Sequence, residues 1–242
     1  MLNGCTEFFM SDSAVSLDKI RIVDPKAARI VSTGSDLPPI STDRLTEIAL
    51  RHRFGNPPVW EPETRGDGGL FPGRLPREAA VLVPLVARAS GVTVLLTQRT
   101  SHLHDHAGQI SFPGGRRDPG DATLQATALR ETAEEVGIAA THIQPAGELP
   151  VYQTVTGYNV TPVLGFVTPG FSLALDAFEV AAAFEVPLSF LMNPANHQRR
   201  AFATPIGERQ FTAMPYDDDG VERFIWGATA GMIRNLYRLL AA

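Results

Sequence analysis

Residues 114–137 constrain what this chain can fold into more than any other stretch. Gly114-Gly115-Arg116-Arg117-Asp118-Pro119-Gly120-Asp121 is a Gly- and Pro-rich loop, and Ala122 through Gly137 follows as one helical run. Asp121 stands where an N-cap residue would, and Gly137 where a C′ glycine would end the helix. At roughly 100° per residue, Ala122, Ala126, Leu129, Ala133 and Val136 share one side, the face expected to pack. Glu131, Glu134 and Glu135 lie opposite, at i, i+3 and i+4. One reading is a solvated acidic stripe. Against it, like charges at these spacings repel by roughly 0.2–0.5 kcal/mol per pair. Glu134 and Glu135 also occupy the last turn, where the helix dipole favours cations. A divalent cation reverses both penalties, because clustered hard oxygens suit Mg²⁺ or Mn²⁺. Such ions bridge carboxylates and substrate phosphates, so this face points to phosphoryl chemistry.

The rest of the chain supplies strands around that helix. Ala79–Val86 and Val92–Thr97 are β-type runs joined through Ala89-Ser90-Gly91, a hairpin pattern. Further runs at 144–149, 160–167 and 181–186 read as strands, and 200–204 with 209–214 flank Pro205-Ile206-Gly207 as a second hairpin. A closing helix runs from about Ala228 to Leu240. Strands mixed with a few helices predict an α/β or α+β sandwich. Residues 1–40 are polar and punctuated and read as an N-terminal extension. Residues 41–76 read as a short helix to about Arg53 and a Gly/Pro-rich connector, and 77–242 hold the main domain.

Composition removes several function classes. Twenty-one Lys and Arg against 26 Asp and Glu give a formal net charge of −5, which argues against a general nucleic-acid or anionic-membrane binder. Cys5 is the one cysteine, so neither an internal disulfide nor a thiolate metal site is available, and a reducing compartment is expected. No apolar run approaches the ~18–20 residues of a membrane span, and the expected location is cytoplasmic.

The helix and its loop resemble the Nudix hydrolases, whose motif is written G-x5-E-x7-R-E-U-x-E-E-x-G-U, with U a bulky apolar residue. Here Gly115 is followed by five residues, Asp121, eight residues, then Arg130-Glu131-Thr132-Ala133-Glu134-Glu135-Val136-Gly137-Ile138. Asp121 replaces Glu, the spacer is one residue longer, and Thr132 fills the apolar slot. The longer spacer and the acid at 121 are similar to the coenzyme A diphosphatase branch. That branch also carries an upstream motif, approximately L-L-T-x-R-[SA]-x3-R-x3-G-x3-F-P-G-G. Leu95-Leu96-Thr97-Gln98-Arg99-Thr100, His104, Gly108 and Phe112-Pro113-Gly114-Gly115 stand in register with it. Thr100 is a mild departure. His104 is a larger one, exchanging a permanent cation for a titratable group. Similar stretches at 154–158, 184–188 and 224–227 extend the resemblance over about residues 77–240.

The resemblance implies an α/β fold, a Nudix-fold α/β/α sandwich with a mixed β-sheet. It implies hydrolysis, with Mg²⁺ or Mn²⁺, of the diphosphate bond of coenzyme A or its thioesters to 3′,5′-ADP and (acyl-)4′-phosphopantetheine. Glu131, Glu135 and Glu134 are the implied metal ligands, with the Gly115 carbonyl reaching the metal. Arg130 orients these carboxylates, Asp121 is either an N-cap or the partner of Arg130, and Glu179 is the acid recruited from a later loop, with Glu185 behind it. Gln98, Arg99, His104 and Phe112 are candidate substrate contacts, with a strand-end ion pair the structural alternative for Arg99 and core packing for Phe112. His102, His104 and His106 alternate in a weak metal-tract pattern that the family reading makes unnecessary. The implied partner is a small molecule, coenzyme A or a related nucleotide diphosphate; a homodimer is left open. Two other readings stand: a Nudix diphosphatase of another nucleotide (NADH, ADP-ribose or a nucleoside triphosphate), and a catalytically silent nucleotide-sensing domain.

Overall fold

The computed structural model of the chain describes residues 24–67, 75–102, 107–204 and 207–242. Cys5, His104 and His106 lie outside the described residues, as do 1–23 of the expected extension and 68–74 of the expected connector. In chain order the strands are β1 (Arg29–Thr33), β2 (Arg77–Arg88), β3 (Gly91–Arg99), β4 (Ile110–Ser111), β5 (Gly114–Arg116) and β6 (Ile143–Glu148). Then follow β7 (Tyr152–Gln153), β8 (Tyr158–Val167), β9 (Val180–Pro187), β10 (Gln198–Thr204), β11 (Gly207–Asp218) and β12 (Val221–Trp226). The α-helices are α1 (Glu47–Gly55), α2 (Leu124–Val136), α3 (Leu188–Leu191) and α4 (Gly227–Ala241).

The expected hairpin is β2–β3, with Leu85 opposite Val94. β2 also runs parallel to β8, from Arg77 opposite Tyr158 to Val86 opposite Val167. β6 and β7 pair with β8, β4 and β9 with β3, and β5 with β2, giving an eight-stranded mixed sheet. Strand alternation divides its side chains between two cores. Ala79, Val83, Leu85, Val94 and Leu96 face the core that includes Ile233, Leu236 and Tyr237 of α4. Ala80, Leu82, Val86 and Leu95 face the opposite core, which holds Ala128 and Val136 of α2. The sheet is therefore sandwiched between helices, as expected for an α/β/α architecture.

The second expected pair is β10–β11, with Phe202 opposite Arg209, but the separate sheet it belongs to was not foreseen. β1, β10, β11 and β12 form a separate four-stranded antiparallel sheet whose far edge is Arg29–Thr33. All five residues of β1 are exposed, so no hydrophobic alternation marks it; its register with β10 rests on backbone pairing. Met214 of β11 and Ile225 of β12 join this sheet to the α4-side core, and β12 leads straight into α4. The helix expected after Ser41 begins later, at Glu47, because the Thr46 hydroxyl caps it by accepting the Ala49 N–H; Leu50 and Phe54 bury its inner face. Among the described residues no helix is long and apolar enough to cross a membrane.

Candidate active site

The carboxylate helix is α2, and its start differs from the sequence expectation. Thr123 is the N-cap, its hydroxyl accepting the Ala126 N–H at 3.0 Å. Asp121 instead receives Arg130 Nε at 3.1 Å and Nη2 at 2.9 Å, with the Thr127 hydroxyl and the Asp118 N–H also donating to it. The hydrogen bonds from Arg130 hold the Asp121 carboxyl well below the usual carboxylate range. The end is as read: Gly137 takes the left-handed conformation at φ +75°.

The packed face also needs correcting. Ala122 and Ala133 are exposed, whereas Thr127, Ala128, Thr132, Glu135 and Val136 are buried. The stripe turned to the sheet therefore contains Ala128, Thr132 and Glu135 (i, i+4, i+7), and a catalytic candidate sits on the inward side. Thr132 fills its apolar slot because its hydroxyl donates to the Ala128 carbonyl at 2.7 Å, leaving only its methyl to pack.

Glu135 is 5% exposed, and its Oε2 accepts the Gly114 N–H at 3.2 Å. Gly114, at φ +153°, runs so close to Ala80 and Val81 of β2 that a side chain would strike their backbone. Gly115 lies directly against Glu131: a Cβ there would stand 2.5 Å from its carboxyl carbon. The backbone turn and the two glutamates are thus one packed unit. Arg130 Nη1 reaches Glu131 and Glu134, each at 3.0 Å; Glu134 is the outermost, its side chain 59% exposed. Glu179 joins from the other side because the segment before β9 caps α2, with Ala174 and Asp176 N–H groups donating to the Val136 and Glu135 carbonyls. Arg99, at the end of β3, lies 3.6 Å from Glu135 and 3.7 Å from Glu179.

Burial raises the Glu131 carboxyl, opposed by Arg130 and reinforced by Glu134 and Glu179. Burial pushes Glu135 up to about 7, against the Gly114 N–H and Arg99, with Glu179 and Glu131 adding repulsion. Four acidic groups share one field, two of them desolvated, and Arg99 and Arg130 are the cations paired with them. Among the described residues no three of these groups converge on a single point in this side-chain arrangement. Their chemistry nevertheless fits a hard divalent cation, since all are oxygen donors and the four carboxylates outnumber the two cations paired with them. Gly115→Ala is expected to push Glu131 aside and weaken Mn²⁺ binding by about 10–100-fold, with the fold retained. Calorimetric titration of the metal checks this; equal affinity in both proteins would remove Gly115 from the site.

The other candidates fall into two groups. Arg99 and Glu179 are brought to the carboxylates. Gln98 is not: it faces the α4 side of the sheet, where its carbonyl accepts Arg223 Nη1 at 2.9 Å. Phe112 is 2% exposed and packs in the α4-side core. Glu185 pairs with Arg88 and accepts the Thr93 hydroxyl at 2.5 Å. Sequence reasoning gave no structural role to Thr100, noted only as a mild departure in the upstream motif, and did not pick out Asp176. The Thr100 N–H and hydroxyl donate to the Glu179 and Phe178 carbonyls, and the Asp176 carbonyl accepts the Glu179 N–H. Their one signal was hydrogen-bonding residue type beside a strand end.

A buried glutamate on a helix, a glycine turn packed on its neighbour and a sheet between two helical layers bring together oxygen donors of the kind a hard divalent cation takes. The NUDIX domain pattern matches residues 76–186. Over 160 residues the chain is 43% identical to "Uncharacterized Nudix hydrolase NudL" of Shigella boydii serotype 4 (strain Sb227), covering 66% of this chain and 81% of that protein. The protein of the same name from Escherichia coli O1:K1 / APEC matches to the same extent. The chain therefore belongs to the Nudix family, and it is a Nudix hydrolase, a class that uses divalent metal ions. Among solved structures, a C. elegans Ap4A hydrolase binary complex is 24% identical, covering 46% of this chain and 80% of that one at a TM-score of 0.39.

Proposed function

We propose that this hydrolase cleaves the diphosphate bond of coenzyme A or its thioesters, releasing 3′,5′-ADP and 4′-phosphopantetheine or its acyl form. The observation that carries the reading is Leu95-Leu96-Thr97-Gln98-Arg99 in register with Phe112-Pro113-Gly114-Gly115, the pattern similar to the coenzyme A diphosphatase branch. The position of Arg99 supports it, since the upstream run then feeds the same centre as α2.

In this reading Glu131, Glu135 and Glu134 hold the divalent ions, with the Gly115 backbone beside them. Those ions, when bound, screen the diphosphate and stabilise the leaving phosphate. Arg130, pinned by Asp121, is a positioning residue for Glu131 and Glu134. Arg99 supplies a fixed cation for a phosphate oxygen. The attacking water forms a bond to phosphorus as the bond from phosphorus to the leaving phosphate oxygen breaks, and Glu179 takes up the released proton.

The test is product analysis by chromatography, with coenzyme A and Mg²⁺ or Mn²⁺. The expected result is 3′,5′-ADP that is absent without metal. Intact coenzyme A alongside cleaved NADH or ADP-ribose would keep the diphosphatase chemistry and discard the substrate. Tight nucleotide binding with no cleavage would replace this reading with a sensor.

A further inference from the structure

We propose that Phe178, braced by His102, is the stacking platform for the purine base of the substrate nucleotide, a role that rests on the nucleotide-diphosphatase reading of the neighbouring carboxylates. Among the described residues Phe178 is the one aromatic in the set of exposed large hydrophobic side chains, at 65%. It is also firmly held. Its N–H donates to Asp176 Oδ1 at 2.8 Å and its carbonyl accepts the Thr100 hydroxyl at 2.8 Å. On its C-terminal side the Val180 N–H donates to the Asp176 carbonyl at 2.8 Å, and the Thr100 N–H to the Glu179 carbonyl at 2.9 Å. The backbone on both sides of the ring is thus tied down while the ring itself stays in water.

His102 meets the ring edge to face, centroids 4.9 Å apart at 61°. Such a contact covers at most one face of the phenyl ring, so the other stays open to a planar partner. The position gives the partner its chemistry. Glu179, the next residue, pairs with Arg99, which reaches Glu135, so Phe178 stands one residue from the carboxylate centre. A nucleotide whose diphosphate lies at that centre carries its base about one sugar away, and stacking on an aromatic ring accepts a base without reading its edges.

The test uses the full chain with Mn²⁺ and two probes that cannot be cleaved, α,β-methylene-ADP and methylene diphosphonate, titrated by calorimetry. Phe178→Ala is expected to weaken the methylene-ADP about tenfold while the base-free diphosphonate binds as before. Phe178→Trp is expected to restore the affinity, with its fluorescence quenched by the nucleotide alone. Equal losses for both probes, or no loss for the nucleotide, would overturn the platform. The two readings fail separately. Coenzyme A cleavage with the same KM in wild type and Phe178→Ala removes the platform and keeps the hydrolase. Base-dependent binding through Phe178 with no nucleotide cleaved removes the diphosphatase and keeps the platform.

Discussion

Replacing Glu135 with Gln is expected to lower turnover by about 10²–10³-fold and, at the same time, to stabilise the metal-free protein above pH 7 by about 3 kcal/mol. Both effects come from one buried carboxyl. Burial raises it from its ordinary 4.5 up to about 7. Below about pH 4.5 folded and unfolded chains both hold the proton, and nothing is lost. Between there and pH 7 only the folded chain holds it, so stability falls as pH rises. Above pH 7 both are ionised and the folded state bears the whole desolvation cost. Gln keeps the acceptor for the Gly114 N–H without the charge. A divalent cation removes the same cost by taking the proton's place, so metal binding below pH 7 should release a proton. Urea unfolding at pH 5 and pH 8, with EDTA or with Mn²⁺, separates these contributions. Equal stability of the two proteins at pH 8 in EDTA, or retained turnover in Glu135→Gln, would contradict the assignment.

Arg234→Ala is expected to destabilise the protein by about 3–5 kcal/mol, the scale for breaking a buried charge cluster by removing one partner. Arg234 of α4 is 8% exposed and donates to Glu63 at 2.6 and 2.8 Å, and through Nη1 to His197 Nδ1 at 3.0 Å. The other His197 nitrogen, Nε2, lies 2.7 Å from the Leu191 carbonyl, so it carries the ring proton and donates. The neighbouring Asn235 exchanges two hydrogen bonds with the backbone of Thr64. Together they anchor residues 63–67, which continue beside β7 through the Arg65, Asp67 and Gln153 backbone bonds. Burial, helped by the Arg234 charge, lowers His197 from 6.5 to about 4. Its neutral form therefore adds stability that is complete above pH 6.5 and is lost as pH falls from 6.5 to about 4, by about 3 kcal/mol. Urea midpoints at pH 7.5 and pH 5 check both statements. A change under about 1 kcal/mol in Arg234→Ala would show that Glu63, which also accepts Arg199 Nη2 at 3.2 Å, and His197 are satisfied without it.

Much of the architecture was legible because it rests on local patterns. Apolar, β-branched-rich runs marked β2, β3, β8 and β9; glycine chemistry marked the turn at Gly114-Gly115 and the end of α2; the spacing of Glu131 and Glu135 marked one side of that helix. Three features were not legible. β1 has no buried residue, and its register with β10 is set by backbone pairing. In the sequence Thr123 does not stand out as the N-cap, and of the two roles open to Asp121, N-cap or partner of Arg130, only the approach of Arg130 selects the second. The inward turn of Glu135 was hidden because alanine and threonine are tolerated on either face of a helix, and a glutamate is by default placed outside.

The sequence by itself carried the resemblance to the family, with the mixed sheet between helices it implies, and the spacing of the acidic residues on α2, since a motif is residue type and spacing along one chain. The tertiary structure alone decided which of those acids are desolvated, that Arg99 and Glu179 join them while Gln98 and Phe112 do not, and that Phe178 is left exposed. Charge separation and burial depend on distances across the fold, between strands and helices that are remote in sequence, and no periodicity within a single element encodes them.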